Sequence, residues 1–223
     1  MIPQNISQGL ITFGLALVPA LFGIICHEVA HGWVAYKLGD PTAKYLGRLT
    51  LNPIKHIDPV GLGVFALTAL LTPFAIGWAK PVPVQSRYFK RPREGMVFVA
   101  LAGPVTNLLV ALLCAVILKF ANNLESAGLF ASSLPLEIVQ ASAKMGIGIN
   151  CALAWFNLMP VPPLDGSHVV GGLLPASLAD QFQALGRYGM IIIMLLLATG
   201  VFGRIIFPLI RQTARLIMTL VGI

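Results

Sequence analysis

The stretch "LFGIICHEVAHGWVAY", residues 21–36, sets two histidines and a glutamate inside a run otherwise fit for lipid. His27 and Glu28 follow about twenty residues without a charge. A charged side chain at the centre of a bilayer helix costs roughly 2.5–3.5 kcal/mol on insertion scales, so such residues are rare and point to function.

Composition agrees with a lipid setting. Of 223 residues, 57% are hydrophobic and only 10% charged, and mean hydropathy is +0.85. A soluble domain carries nearer a quarter charged residues, so the chain reads as an integral membrane protein. The net charge of +7 suits basic loops against an anionic cytoplasmic leaflet, and no basic run with interleaved aromatics suggests a nucleic-acid partner. Cys26, Cys114 and Cys151 lie singly in apolar stretches and read as small buried hydrophobes. The N-terminal "MIPQNISQ" has no positive n-region, so the first apolar run is expected to be a retained span.

A full span needs about 20 apolar residues. Candidates are Gly9–Tyr36, Met96–Lys119, Leu136–Leu158 and Tyr188–Gly203, with a shorter Gly/Pro-interrupted run at Gly61–Trp78. In the tail Arg204–Ile223, the spacing of Arg204, Arg211 and Arg215 puts them on one helical face, as in a last span or an interfacial amphipathic helix. "KYLGRLTLNP" (44–53) partly alternates apolar with polar, and "PVPVQ" (81–85) has extended character. Short strands at the membrane surface are expected there. The predicted fold is thus an all-α polytopic membrane protein. It has about 4–6 transmembrane helices and a small membrane-associated β segment. The whole of 1–223 forms one domain, with a core at about 9–170 and C-terminal helices over 185–223.

His27, Glu28 and His31 form H-E-x-x-H. Residues four apart on a helix lie one above the other, so both imidazoles can reach one metal ion. Glu28 sits one position round, where it can take a proton from a water activated by zinc. A catalytic zinc takes three protein ligands and keeps one position open. His56, His168 and a few carboxylates are available as the third. "FNLMPVPPLDG" (156–166) closes the Leu136–Leu158 span; taken alone, its prolines and Asp165-Gly166 describe a helix exit and a turn.

Together, "HEVAH" (27–31), "NLMPVPPLDG" (157–166) and "AGPVTN" (102–107) resemble the site-2 protease family of intramembrane zinc metalloproteases, in a compact form without PDZ or CBS module. The resemblance covers roughly Leu21–Val170. It implies one zinc per chain held by His27, His31 and Asp165, with Glu28 as general base and Asn157 holding the substrate carbonyl or developing oxyanion. Asn107 is expected to serve packing and hydrogen bonding in the core.

Topology supports the same trio. His31 lies near the end of one span and Asp165 just beyond the end of another, so those helices must run the same way. An odd number of crossings then separates them, which Met96–Lys119 supplies if Gly61–Trp78 is re-entrant or interfacial. Residues 37–93 hold nine Lys/Arg and 120–135 none, which predicts catalytic ends facing the cytoplasm. His56 reads first as a capped loop histidine. His168 could orient Asp165 or face water, and Trp33, Trp78 and Trp155 read as interfacial anchors.

The expected function is zinc-dependent endoproteolysis in or beside the spanning segment of single-span membrane proteins, in the cell membrane of a bacterium or archaeon. A helical substrate hides its carbonyls in i→i−4 bonds, so a locally unwound segment must bind, for which an edge strand near 44–53 is a candidate. The rivals are a polytopic metal-binding protein or transporter, for which Glu28 would have no task, and an inactive scaffold, against which the intact ligand and base set counts.

Overall fold

A computed structural model describes residues 4–61, 63–64, 79–129 and 133–223. The expectations for Gly61–Trp78, Trp78 included, fall largely outside the described residues. Helix α1 spans Gln4–Lys37 and stops where Gly39 takes φ +111°, a left-handed turn that a side chain would strain. After a single turn at Thr42–Tyr45 (α2), the long helices α3, Pro92–Ser126, and α4, Leu134–Asn157, follow. Then come α5, Asp165–Leu173, α6, Ala176–Ala184, α7, Gly189–Ala198, and α8, Val201–Val221.

Among the described residues three stretches, α4 with the expected Leu136–Leu158 span not among them, are long and apolar enough to cross a membrane: Gln8–Lys37, Pro92–Ser126 and Ala176–Ala198. The last runs through α6, a 3₁₀ turn at Leu185–Tyr188 and α7. It differs from the expected Tyr188–Gly203 span because Gly200, at φ +70°, breaks the helix between α7 and α8. Many large apolar side chains point outward, among them Val18, Phe98, Leu109 and Phe120, which suits lipid on the outside.

Helices α1, α3 and α4 pack on one another, and α8 lies against α3 and α4. The core between them is built from small and medium side chains, including Ala111, Cys114, Ala115, Ala143, Ile147 and Cys151. Small residues let membrane helices approach closely. A Cβ on Gly146 would stand 2.6 Å from the Cys114 sulfur and 3.0 Å from the Pro19 ring. The three cysteines are free thiols, Cys114 and Cys151 buried and Cys26 half-buried.

Contacts fix the helix directions. Ser142 donates to the Leu15 carbonyl, Asn150 to the Pro19 carbonyl, and Gly23 leaves room for the Asn150 side chain. Successive turns of α1 therefore meet successive turns of α4, and the two run parallel. His31 meets Val99 while His27 meets Asn107, so α3 runs antiparallel to α1. The Ser142 bond has a local cause. Pro19 carries no N–H, so the Leu15 carbonyl has no helical donor and the Ser142 hydroxyl supplies one at 2.9 Å.

No strand forms among the described residues. In 44–53 the backbone makes α2, a left-handed Gly47 at φ +62° and the approach to a 3₁₀ turn at Pro53–Lys55, capped by Asn52. The polar positions that suggested alternation are turn and tie residues. Arg48 is buried and donates to the carbonyls of Lys55, Lys80 and Pro81. Asp40 accepts from the Thr42 amide and hydroxyl and from the Gln85 amide.

Candidate metal centre

His27 and His31 project from adjacent turns of α1 towards the first half of α3. Their Nε2 atoms are 2.9 Å apart and their rings stand nearly perpendicular, at 89°. Each Nδ1 is 2.7 Å from an oxygen of α3, Oδ1 of Asn107 for His27 and the Val99 carbonyl for His31. Those oxygens only accept, so each Nδ1 carries a proton and donates it. The Nε2 lone pairs are then turned inward, the arrangement that second-layer hydrogen bonds impose on metal-binding histidines.

Asp165 completes the group, with Oδ2 3.2 Å from Nε2 of His27 and 3.3 Å from that of His31. It opens α5, and the bend 158–164 brings it back against the other two helices. A Cβ on Gly166 would run into the Leu158 carbonyl, so the start of α5 sits directly on the end of α4. Arg93 of α3 fastens the far end of α5 through the Gly171 and Leu174 carbonyls.

Three acceptor atoms lie this close only around a positive centre, a proton or a metal cation. Three observations fit a metal. The Asp165 Oδ2 atom is buried without a hydrogen-bond donor. The separations of 2.9–3.3 Å match the edge of a tetrahedron, about 3.3 Å, around zinc at 2.0–2.1 Å from its ligands. And α3 leaves space, because a Cβ on Gly103 would stand 2.5 Å from Nε2 of His31 and 2.6 Å from that of His27. Among the described residues these three side chains are the only such group.

Glu28 lines a cleft of about 560 Å³ that it shares with His27, Asn107 and Asn157, roofed by Met190, Ile193 and Leu197 of α7. Its Oε2 accepts from the Val82 amide at 2.8 Å. Asn157 donates to the Leu153 carbonyl at 2.9 Å. The structure therefore brings together all five residues singled out from the sequence. His56 stays apart, with Nε2 2.8 Å from the Thr50 carbonyl inside its own loop. His168 lines a different hollow with Arg93, Met96 and Asp180, and burial pushes its imidazole pKa down. No hydrogen bond joins it to Asp165 among the described residues. Trp33 is exposed, and Trp155 donates to the Thr213 hydroxyl.

Sequence reasoning placed Asn107 in the hydrogen bonding of the core, where it lies, but missed the tasks of Gly103 and Asn150. A signal existed for the asparagines. A carboxamide in an apolar span is as conspicuous as a histidine there, and both are completely buried.

The sequence profile of Peptidase family M50 matches residues 125–197, the part that holds Asn157 and Asp165. The chain is 37% identical over 206 residues to YwhC of Bacillus subtilis (strain 168), whose name gives it as an inferred zinc metalloprotease, covering 89% of each chain. It is 28% identical over 202 residues to Rip2 of Mycolicibacterium smegmatis, named likewise, covering 89% of this chain and 72% of that one. A third relative with such a name, MJ0611 of Methanocaldococcus jannaschii, is 30% identical over 164 residues, or 72% and 71% of the two chains. No solved structure gives a significant match. The chain belongs to Peptidase family M50, the site-2 proteases, and is a multi-pass, zinc-dependent membrane peptidase.

Proposed function

We propose that His27, His31 and Asp165 hold the zinc ion of this peptidase and that Glu28 and Asn157 work on the peptide bond. One observation carries the reading: three acceptor atoms converge at 2.9–3.3 Å where both imidazole Nδ1 protons are already committed to α3. When bound, zinc supplies Lewis acidity to a carbonyl oxygen and to a water molecule. Glu28 takes the proton of the attacking water and passes it to the leaving amine. To do so its Oε2 releases the Val82 amide, the bond it makes in this structure. Asn157 has a second amide hydrogen beyond the one given to Leu153, and it turns that donor to the substrate oxygen. The apolar roof from α7 limits water to what the reaction needs.

The substrates are single-span membrane proteins, unwound locally so that a carbonyl enters the cleft between Glu28 and Asn157. The chain works as one membrane domain, with its core at about 9–170. The catalytic ends of α1 and α4 face the cytoplasm, as the nine Lys/Arg over residues 37–93 favour. Glu28→Gln tests the chemistry. Zinc stays bound at about one per chain, because no ligand is altered, while cleavage of a co-expressed single-span substrate falls by about 10²–10⁴-fold. Cleavage at the wild-type rate would overturn the assignment of the base. Transport of zinc across vesicles without any proteolysis would favour a carrier instead.

A further inference from the structure

Two asparagines buried in the apolar core stand in line behind one of the imidazoles. Asn107 accepts from Nδ1 of His27 and donates to the Gly23 carbonyl at 3.2 Å and to Oδ1 of Asn150 at 3.1 Å. Asn150 in turn donates to the carbonyls of Pro19 at 3.3 Å and Gly146 at 3.0 Å. Every N–H of both carboxamides is thus committed. Backbone carbonyls only accept, so Asn150 can present only its oxygen to Asn107. Asn107 must therefore present nitrogen to Asn150 and oxygen to His27. The direction set by two backbone groups is handed through two side chains to an imidazole. Turning either carboxamide over would place oxygen against oxygen in a dry core, which is the costly arrangement.

We infer that Asn107 and Asn150 are positioning residues that hold His27 with its proton on Nδ1 and its Nε2 lone pair on the metal side. The inference rests on His27 being a zinc ligand. His31 needs no such line, because the Val99 carbonyl accepts from its Nδ1 directly. Position 23 is built for the line as well. The Gly23 carbonyl receives one Asn107 hydrogen, and a Cβ there would collide with the Asn150 oxygen. Without the line, the proton can move to Nε2 of His27 and compete with the metal for that lone pair.

The test measures zinc affinity by chelator competition and the visible spectrum of the cobalt-substituted protein, in Asn107→Leu, Asn150→Leu and the double variant. Asn107→Leu should weaken zinc by about 10–100-fold, the range for partners of metal-binding histidines. Asn150→Leu, which never touches His27, should act in the same direction and alter the cobalt bands. The double variant should be no weaker than Asn107→Leu alone, because Asn150 acts through Asn107. Two independent, multiplying losses would show ordinary packing and overturn the inference, as would wild-type affinity and an unchanged cobalt spectrum in Asn107→Leu. Nitrogen-15 spectra of the metal-free wild type need no variant to fold. Nδ1 of His27 is expected to be protonated there, and an unprotonated Nδ1 overturns the inference. A wild type that binds no zinc refutes the ligand assignment instead, a separate result.

Discussion

A methyl group at position 103 would intrude on the proposed metal centre. Alanine favours helix over glycine by about 1 kcal/mol, yet its Cβ would stand 2.5 Å from the His31 Nε2. Gly103→Ala should leave the protein folded and membrane-inserted while zinc content falls well below one per chain, read by elemental analysis of purified protein. Retention of full zinc would mean that the metal sits elsewhere. Asp165→Ala makes a second prediction. It removes one of the three proposed ligands, and zinc affinity should fall by at least about the 10–100-fold seen for weaker second-layer losses. Full occupancy there would remove Asp165 from the ligand set and turn attention to His168. At this scale chemistry alone singled out His27, Glu28 and His31, since lipid makes polar groups costly and a polar pair satisfied by neighbouring helices is the weaker reading. Gly103 was not legible. Its meaning depends on α3 crossing α1 antiparallel in one particular register, which no local pattern encodes.

Among elements, the long helices were legible and the segments between them were not. Apolar length announces a span, and α1 and α3 fall close to where hydropathy puts them; α4 forms as a helix near 136–158 but is not apolar enough to count as a span. Residues 44–53 misled because alternation can arise from turns whose polar side chains fold inward. Arg48 does this, and together with Asp40, which precedes that stretch, it ties the chain after α1 to residues 80–85. That tie has a consequence for Glu28, whose carboxylate meets the Val82 amide in the same segment. A side chain on Gly32 would also push that segment off, since its Cβ would lie 2.8 Å from a Val82 methyl. Asp40→Ala removes an acceptor from three hydrogen bonds at a nearly fully buried site. It should cost about 1.5–3 kcal/mol or more, measured by denaturant titration in detergent. Limited proteolysis should then cut within 79–91 faster than in wild type. Unchanged stability and cleavage would show that the tie contributes nothing.

For the whole molecule, α1 and α4 run parallel with α3 antiparallel, the directions that two proposed catalytic ends on one face require, while the expectation for Gly61–Trp78 lies outside the described residues. Single cysteines test the sidedness. A cysteine at Ala127, between α3 and α4, should label from outside, and ones at the exposed positions Tyr45 and Tyr88 only from the cytoplasm. The reverse pattern would invert the proposed orientation. Metal and fold are also coupled across the molecule. Zinc bound only by the folded state stabilises by about 2.7 kcal/mol at a hundred times its Kd. A chelator should lower the unfolding temperature of the wild type and leave that of Asp165→Ala nearly unmoved.

The parallel run of α1 and α4, with α3 between, bears on the time at which the enzyme comes into being. The proposed ligands His27 and His31 leave the ribosome with α1, whereas Asp165 follows only after α3 and α4 have been made. At about 5–20 residues per second, a nascent chain spends on the order of ten seconds with two thirds of its ligand set and no means of closing it. During that interval the chain lies among other membrane proteins being inserted, any of which would be exposed to a working protease. With Asp165 as the last proposed ligand, placed behind the whole helical core, the chain would stay inert until that core is assembled. Chains halted after residue 160 should therefore insert and retain α1, α3 and α4, yet bind zinc weakly and cut nothing. Tight zinc binding by such chains would show that the centre closes without α5.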